Sequence, residues 1–130
     1  MVRPTVAELA MLSRGMVVRA DLRDSKGHES GKVRPAVIVS NDFFNRNLLT
    51  VVVVVISSLK LPKPRRFEIL IPAGVGGLTV DSVAQPASQI YTVSKSERIF
   101  EILGSLPDHT MLEIRAALLL VLSNESLLVG

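Results

Sequence analysis

An arginine lies at the beginning of a β-branched run in this chain, where its side chain could take part in binding or catalysis. In the stretch GKVRPAVIVSN, residues 31–41, strand alternation places Arg34 on one face together with Ala36 and Ile38. Pro35 has a fixed φ and no backbone donor, so this part of the strand must lie at a sheet edge, at the strand's beginning or beside a bulge. The pattern therefore predicts a guanidinium at the margin of a sheet, where it could bind an anion.

Two histidines could supply acid–base chemistry, but their positions do not favour a catalytic pair. His109 belongs to the beginning of the last predicted helix, where we expect it to be solvated, and His28 lies in the mixed-charge loop 23–32. The chain has no cysteine, and no cluster of carboxylates or histidines has metal-ligand spacing. We therefore predict no thiol catalysis, no bound metal and no cofactor.

A second group of cations lies in the loop LKLPKPRR, residues 59–66. Its two prolines prevent the segment from pairing as a strand and make it stiff. Its cations are Lys60, Lys63, Arg65 and Arg66. Two interpretations stay open: a solvated hairpin loop, or a surface that holds the phosphates of a nucleic acid.

Composition limits the class of protein. The chain has 130 residues, 48% of them hydrophobic and 21% charged, which predicts one globular domain with a substantial core. The formal net charge of +3 is compatible with an anionic partner. The longest apolar run, Val51–Ile56, is far shorter than the roughly 20 residues of a membrane span. The N-terminal residues have no signal-peptide pattern, so we expect a cytoplasmic protein without a membrane partner.

The elements that must position these residues are mostly strands. β-Branched segments predict strands at residues 16–22, 33–40, 48–57, 66–71 and 79–93, with the last one broken at Pro86. Val51–Ile56 is apolar on both faces, which is typical of a central strand. The glycine-rich stretch AGVGG, residues 73–77, matches no phosphate-binding pattern and is predicted to be a turn.

Helices are predicted mainly at the C-terminal end. Ser94 and Glu97 form a capping box for a short helix that should end near Gly104, and Pro107 and Asp108 suit the first turn of another helix. That second helix has a wide apolar stripe, which indicates burial on two sides, as at a dimer interface. The stripe consists of Met111, Ile114, Leu118, Leu119, Leu120, Val121 and Leu122. Near the N-terminus, residues 5–12 are predicted to form a further helical turn, with Thr5 and Glu8 as its cap.

Five segments, taken in chain order, resemble the MazF/PemK family of toxin endoribonucleases. They are RGMVVRADL, KGHESGKVRPAVIVSN, VVVVVISS, GGLTVDSVAQPASQI and AALLLVL. The most specific part is the series Gly27, Glu29, Arg34 and Pro35, followed by a hydroxyl residue at the end of a very apolar strand. The resemblance implies an α+β fold that is mainly β with a C-terminal helix, an SH3-like small barrel of the MazF/CcdB type. It places the toxin domain at residues 14–124, between an N-terminal extension, 1–13, and a C-terminal tail, 125–130.

The family implies a homodimer that cleaves single-stranded RNA at short sequence motifs without metal and is inhibited by a cognate antitoxin protein. By this resemblance, Arg34 takes the position of the catalytic arginine and Ser57 that of a catalytic threonine. Glu29 is expected to orient Arg34. The expected RNA-binding residues are His28, Lys32, Lys60, Lys63, Arg65, Arg66 and Gln89.

Alternatives and departures limit these expectations. Arg34 could pair with Glu29 on the surface, and Ser57 could turn its hydroxyl to the backbone. Ser57 lacks the methyl group of threonine, and Tyr91 stands where the family commonly has arginine, so Tyr91 either stacks on a base or packs in the fold. Two rival functions are a gyrase poison of the CcdB kind and a catalytically silent antitoxin-binding module.

Overall fold

The computed structural model describes residues 2–22 and 33–124. Within these residues, strands make up most of the regular structure and a long helix is the last element, as the resemblance implies. The strands are β1 (Met16–Asp21), β2 (Val33–Ile38), β3 (Thr50–Ser58), β4 (Ile69–Ile71), β5 (Ser82–Ala84), β6 (Ile90–Ser94) and β7 (Ile99–Ser105). The helices are α1 (Val6–Ala10), α2 (Asp42–Asn47), α3 (Lys95–Arg98) and α4 (Asp108–Leu122).

The strands form an antiparallel sheet in the order β4-β5-β3-β2-β1-β7, with β6 also paired to β3. The long strand β3 pairs with β2 along one edge, and with β6 and then β5 along the other. This arrangement confirms Val51–Ile56 as the central strand. Its valines face a core on both sides because a hydrophobic cluster lies on each face of the sheet.

Two hydrophobic clusters lie on the two faces of this sheet. One contains Val17, Val37, Val54 and Ile56 from the strands and is covered by Ile114 and Ala117 of α4. The other contains alternate residues of the same strands, such as Val18, Ala36, Ile38, Val51 and Val53. Because side chains of a strand alternate between faces, the apolar runs of β1, β2 and β3 supply both clusters at once.

The turn after β4 brings the two ends of the sheet together. Its single turn of 3₁₀-helix, Val75–Gly77, packs against the end of β7, which lies at the opposite end of the strand order. A Cβ added to Gly77 would lie 2.1 Å from the carbonyl oxygen of Leu103, so only glycine permits this approach. The predicted turn at residues 73–77 is therefore present, and it gives the sheet its barrel-like form.

The structure corrects one predicted helix. The helix that begins after Ser94 ends at Arg98 instead of near Gly104, and Ile99–Ser105 is the strand β7. The Ser94 cap is confirmed, because its hydroxyl accepts the Glu97 N–H at 3.2 Å. The segment after Arg98 becomes a strand because pairing with β1 satisfies its backbone, a tertiary effect that outweighs the local helix signal.

The hairpin interpretation of the basic loop is also wrong. Strands β3 and β4 do not pair with each other, since β5 lies between them and is antiparallel to both. The loop that contains residues 59–66 therefore runs from the Ser82 end of β5 to its Ala84 end, and β4 then runs parallel to β3. Strand β4 is also shorter than predicted, because it begins at Ile69.

The N-terminal residues pack on the sheet. Thr5 and Glu8 form a reciprocal capping box at α1, as the sequence predicts, and the following Leu12 is completely buried in the second cluster. Arg3 donates to the Ser96 carbonyl at 3.3 Å and lies 4.3 Å from the ring centroid of Phe100. This segment therefore completes the cover over β7 and α3. In the described part of the chain, no helix has the length and apolar character needed to cross a membrane.

Candidate active site

A cavity of about 460 Å³ opens at the ends of β2 and β3. Its polar wall contains Arg34, Ser57 and Lys60, and its apolar wall includes Ile56 and Leu78. Further lining residues come from β1, β2, β3, β5, β7 and the segment between β4 and β5: Arg19, Pro35, Ser58, Gly77, Thr79, Val80, Ser82 and Leu103. Cations and hydroxyl groups thus dominate the polar side of this cavity.

Strand register brings Arg34 and Ser57 together although they lie on different strands. The pairing of β2 with β3 ends at Ala36 and Val55, and the same register continued by two residues sets Arg34 opposite Ser57. Pro35 has no N–H for the ladder, so the two strands are free to separate at this point. Arg34 is exposed and Ser57 is half-buried, which leaves both side chains accessible from the cavity.

Arg19 is a lining residue that sequence reasoning missed. It lies opposite Pro35 in the β1–β2 register, and its Nε donates to the Oε1 of Glu101 across the β1–β7 pair at 3.0 Å. The ion pair is partly buried and holds the guanidinium at the cavity wall. The signal in the sequence is a single cation within the apolar strand MVVRADL, whose significance depends on the register.

A second, adjoining cavity of about 270 Å³ shares Ser57, Ser58 and Lys60 with the first. Arg65, Glu68 and Gln85 also line it, together with Leu59, Leu61 and Val83. The basic loop therefore contributes Lys60 and Arg65 to the cavity walls. Lys63 and Arg66 are exposed on the same loop but line neither cavity.

The remaining predicted site residues divide into two groups. Gln89 is half-buried and donates its side-chain amide to Gln85 at 2.5 Å, so it supports the second cavity without lining it. His28, Glu29 and Lys32 lie outside the described residues. The alternative in which Arg34 pairs with Glu29 therefore stays a prediction.

Tyr91 and His109 lie away from the cavity of Arg34. Tyr91 is 38% exposed on β6 and lines another pocket, with Asp21 and Arg98. His109 is exposed in the first turn of α4, as expected. Within residues 2–22 and 33–124, no three histidine, aspartate or glutamate side chains are grouped so that they could hold a metal ion.

Two ionisable groups with shifted pKa values lie around α2. The Asp42 carboxylate has a lowered pKa, chiefly because it accepts the backbone N–H of Arg14 at 2.7 Å. Burial lowers the pKa of Lys95, whose ammonium donates to the Asn45 carbonyl. These contacts tie α2 to the segments that precede β1 and follow β6, so they serve the scaffold.

A family model and a related protein sequence both match this chain, and they indicate the same family. Residues 13–122 match the family described as PemK-like, MazF-like toxin of type II toxin-antitoxin system. Endoribonuclease MazF9 from Mycobacterium tuberculosis is 34% identical over 115 residues, which cover 83% of this chain and 93% of the relative.

Solved structures agree with this match. A mycobacterial endoribonuclease in complex with its cognate antitoxin has a TM-score of 0.69 at 26% identity, with 88% of this chain and 98% of that chain covered. MazF from Deinococcus radiodurans has a TM-score of 0.70 at 25% identity, with 85% and 96% covered.

Proposed function

The chain belongs to the PemK-like, MazF-like toxins of type II toxin-antitoxin systems, a family of endoribonucleases, and from this premise we propose that it cleaves single-stranded RNA at short sequence motifs without metal, in the cavity of Arg34 and Ser57. The observation that carries the proposal is that these two residues line one cavity at the ends of adjacent strands. A gyrase poison or a silent binding module would not require this pairing.

The proposed chemistry is attack of the RNA's own 2′-hydroxyl on the adjacent phosphate. The 2′-oxygen loses its proton as it bonds to phosphorus, and the 5′-oxygen gains a proton as its bond to phosphorus breaks, which leaves a cyclic phosphate and a 5′-hydroxyl. The phosphorane formed on the way carries additional negative charge, which preorganised donors stabilise. The guanidinium of Arg34 has parallel donors for two phosphate oxygens, and the Ser57 hydroxyl can donate to one of them.

The donor set of the cavity supports a reaction that needs no metal. Among the described residues, no carboxylate or histidine lines the cavity of Arg34, and its charged groups are Arg19, Arg34 and Lys60. Hard metal ions such as Mg²⁺ prefer oxygen ligands, especially carboxylates. The three cationic side chains would instead repel a metal ion. They attract the phosphates of RNA.

We further propose that the toxin acts as a homodimer and is inhibited by an antitoxin. A related mycobacterial endoribonuclease forms a complex with its cognate antitoxin. An acidic antitoxin segment with apolar anchors could occupy the cationic cavity, because carboxylates can take the place of phosphates. Such an antitoxin should compete with RNA for the toxin.

Sequencing the 5′ ends of cleaved RNA first identifies the cleavage motif. The function is then tested by single-turnover cleavage of one RNA oligonucleotide that contains this motif. Cleavage in the presence of a chelator and formation of a cyclic phosphate are expected. The same oligonucleotide with one 2′-deoxy nucleotide at the cut should bind but stay intact. Cleavage of the deoxy substrate, or activity that needs added magnesium, would refute the mechanism.

A further inference from the structure

The second cavity adjoins the site of Arg34 so closely that both share one wall. Ser57, Ser58 and Lys60 line both cavities, so a phosphate held at Ser57 would place a neighbouring nucleotide within reach of the second cavity. Leu59, Leu61 and Val83 give the second cavity apolar surface, which suits the face of a nucleobase.

Glu68 supplies this cavity with an acceptor in a defined position. Its Oε1 accepts the backbone N–H of Arg65 at 2.7 Å, and its own N–H donates to the Arg65 carbonyl at 3.0 Å. The intervening Phe67 has a φ of +68°, a conformation rare for a residue other than glycine. Because one carboxylate oxygen is bound in this turn, the second oxygen remains as an acceptor for a ligand.

Gln85 supplies a donor that is equally well positioned. Its N–H donates to the Val55 carbonyl at 3.0 Å, and the Val55 N–H donates to the Gln89 carbonyl at 3.0 Å, so central strand β3 anchors this turn. The side-chain oxygen of Gln85 accepts the Gln89 amide at 2.5 Å. Its own amide N–H₂ group is therefore the part available to the cavity.

A fixed donor beside a fixed acceptor distinguishes two classes of base. Adenine and cytosine present a ring-nitrogen acceptor next to an amino donor, whereas guanine and uracil present a ring N–H donor next to a carbonyl acceptor. A cavity with one donor and one acceptor in fixed positions can pair with both groups of one class of base. A base of the other class, bound in the same orientation, would leave these polar groups unpaired. Leaving such groups unpaired is costly, so even one pair of contacts discriminates.

We propose that Glu68 and Gln85 are specificity-determining residues, which read the Watson–Crick edge of the base next to the scissile phosphate and separate amino bases from keto bases. The proposal deepens the RNA cleavage proposed above and rests on it for the position of the phosphate. Neither residue lines the cavity of Arg34, so their effect should appear in base preference.

Reciprocal substitutions test this assignment without removing the scaffold contacts. In Glu68→Gln, the amide oxygen can still accept the Arg65 N–H, and an N–H₂ donor then faces the cavity. In Gln85→Glu, one carboxylate oxygen can still accept from Gln89, and the other becomes an acceptor in the cavity. The double variant therefore exchanges donor and acceptor, and it should reverse the preference between amino and keto bases.

The measurement is kcat/KM for RNA oligonucleotides that differ only in the base on either side of the cut. The wild type should discriminate between the two classes roughly 10- to 100-fold at one of these positions. Either single variant should reduce that ratio, and the double variant should reverse it. Glu113→Gln, an exposed carboxylate on α4, is the matched control and should retain the wild-type ratio.

Binding separates this inference from the proposed nuclease function. Affinities for the same oligonucleotides with a 2′-deoxy nucleotide at the junction can be measured by fluorescence anisotropy, whether or not the protein cleaves RNA. A preference that reverses in binding supports the inference even if cleavage fails. Equal affinity and equal cleavage for all four bases, or a preference that the double variant leaves unchanged, would overturn it.

Discussion

At the scale of single residues, Pro35 is as important to the proposed site as Arg34. Because Pro35 cannot donate to the ladder, the last paired position of β2 with β3 is Ala36 with Val55, and the ends of both strands line a cavity. The guanidinium and the hydroxyl therefore line one cavity and are not buried in a continuous sheet. In the proposed mechanism, this strand pairing would supply the preorganisation that phosphorane stabilisation requires.

Arg34→Lys should reduce the single-turnover cleavage rate by about 10²- to 10³-fold, the usual effect of removing one preorganised donor. Lysine keeps the charge but lacks the planar fork that binds two phosphate oxygens. Binding of the 2′-deoxy oligonucleotide should fall much less, because in the proposed complex Lys60 and Arg65 would still hold the RNA backbone. Near-equal cleavage rates for wild type and Arg34→Lys would contradict the assigned role.

Ser57→Thr should leave the cleavage rate equal or raise it, since threonine restores the residue implied by the family and restricts the hydroxyl rotamer. Ser57→Ala serves as the comparison, because it removes the hydroxyl with little change in volume and should lower the rate. Single-turnover kinetics on one defined oligonucleotide measure both variants. Full activity of Ser57→Ala would show that the hydroxyl takes no part in the reaction.

At the scale of elements, the turn at residues 73–77 and the basic loop position the two sides of the cavity. The turn places Gly77 against β7, and the loop that carries Lys60 and Arg65 connects the end of β3 to the start of β4, past β5. The turn could not form with ordinary strand geometry. Gly74, Gly76 and Gly77 all have positive φ values.

Gly77→Ala should lower the free energy of unfolding by about 2–4 kcal/mol, because the new Cβ would meet the Leu103 carbonyl at 2.1 Å and the φ of +78° is unfavourable for alanine. Gly74→Ala is the matched control. Its φ is +91°, but nothing lies within 4 Å of the new Cβ, so it should cost only about 1 kcal/mol. Urea denaturation midpoints of the two variants compare these costs, and equal losses would refute the close-contact argument.

Neutralising Lys63, Arg65 and Arg66 together should flatten the salt dependence of RNA binding. Each phosphate contact with a single strand contributes about 0.7 to the slope of log K against log salt, so the slope should fall by up to roughly 2. Binding of the 2′-deoxy oligonucleotide across a salt series measures the slope. Arg115→Gln, on α4, is the control, and an unchanged slope in the triple variant would mean that the loop is only a solvated surface.

At the scale of the whole molecule, α4 covers one face of the barrel and leaves much of its own surface unpaired in the single chain. Thr110, Ile114 and Ala117 are buried against the first cluster. On the remaining surface, Leu112, Leu119 and Leu122 are 61%, 56% and 74% exposed. The wide apolar stripe is therefore only partly explained by the fold of one chain, as expected if a second copy covers the rest.

Sedimentation velocity at micromolar concentration should show a homodimer. Leu119→Asp should weaken the dimer, because a carboxylate would lose its hydration in an apolar interface. Val6→Asp, at a position 85% exposed on α1, introduces the same change elsewhere and should leave the dimer intact. A wild-type monomer at this concentration, or equal dimerisation of Leu119→Asp and wild type, would contradict the proposed interface.

The sequence by itself was sufficient to predict the central strand, the caps of Thr5 and Ser94, the long final helix and the family. These features depend on local chemistry: β-branched runs, side-chain caps and motif order are present in the chain before it folds. Only the tertiary structure decided that the residues after Arg98 form a strand, because their partner is β1, which is far away in the sequence. It likewise decided that β5 separates β3 from β4, that Arg19 lies opposite Pro35, and that Glu68 and Gln85 line one cavity. Strand order and register come from long-range pairing, which no local pattern specifies, and they determine which side chains share a site.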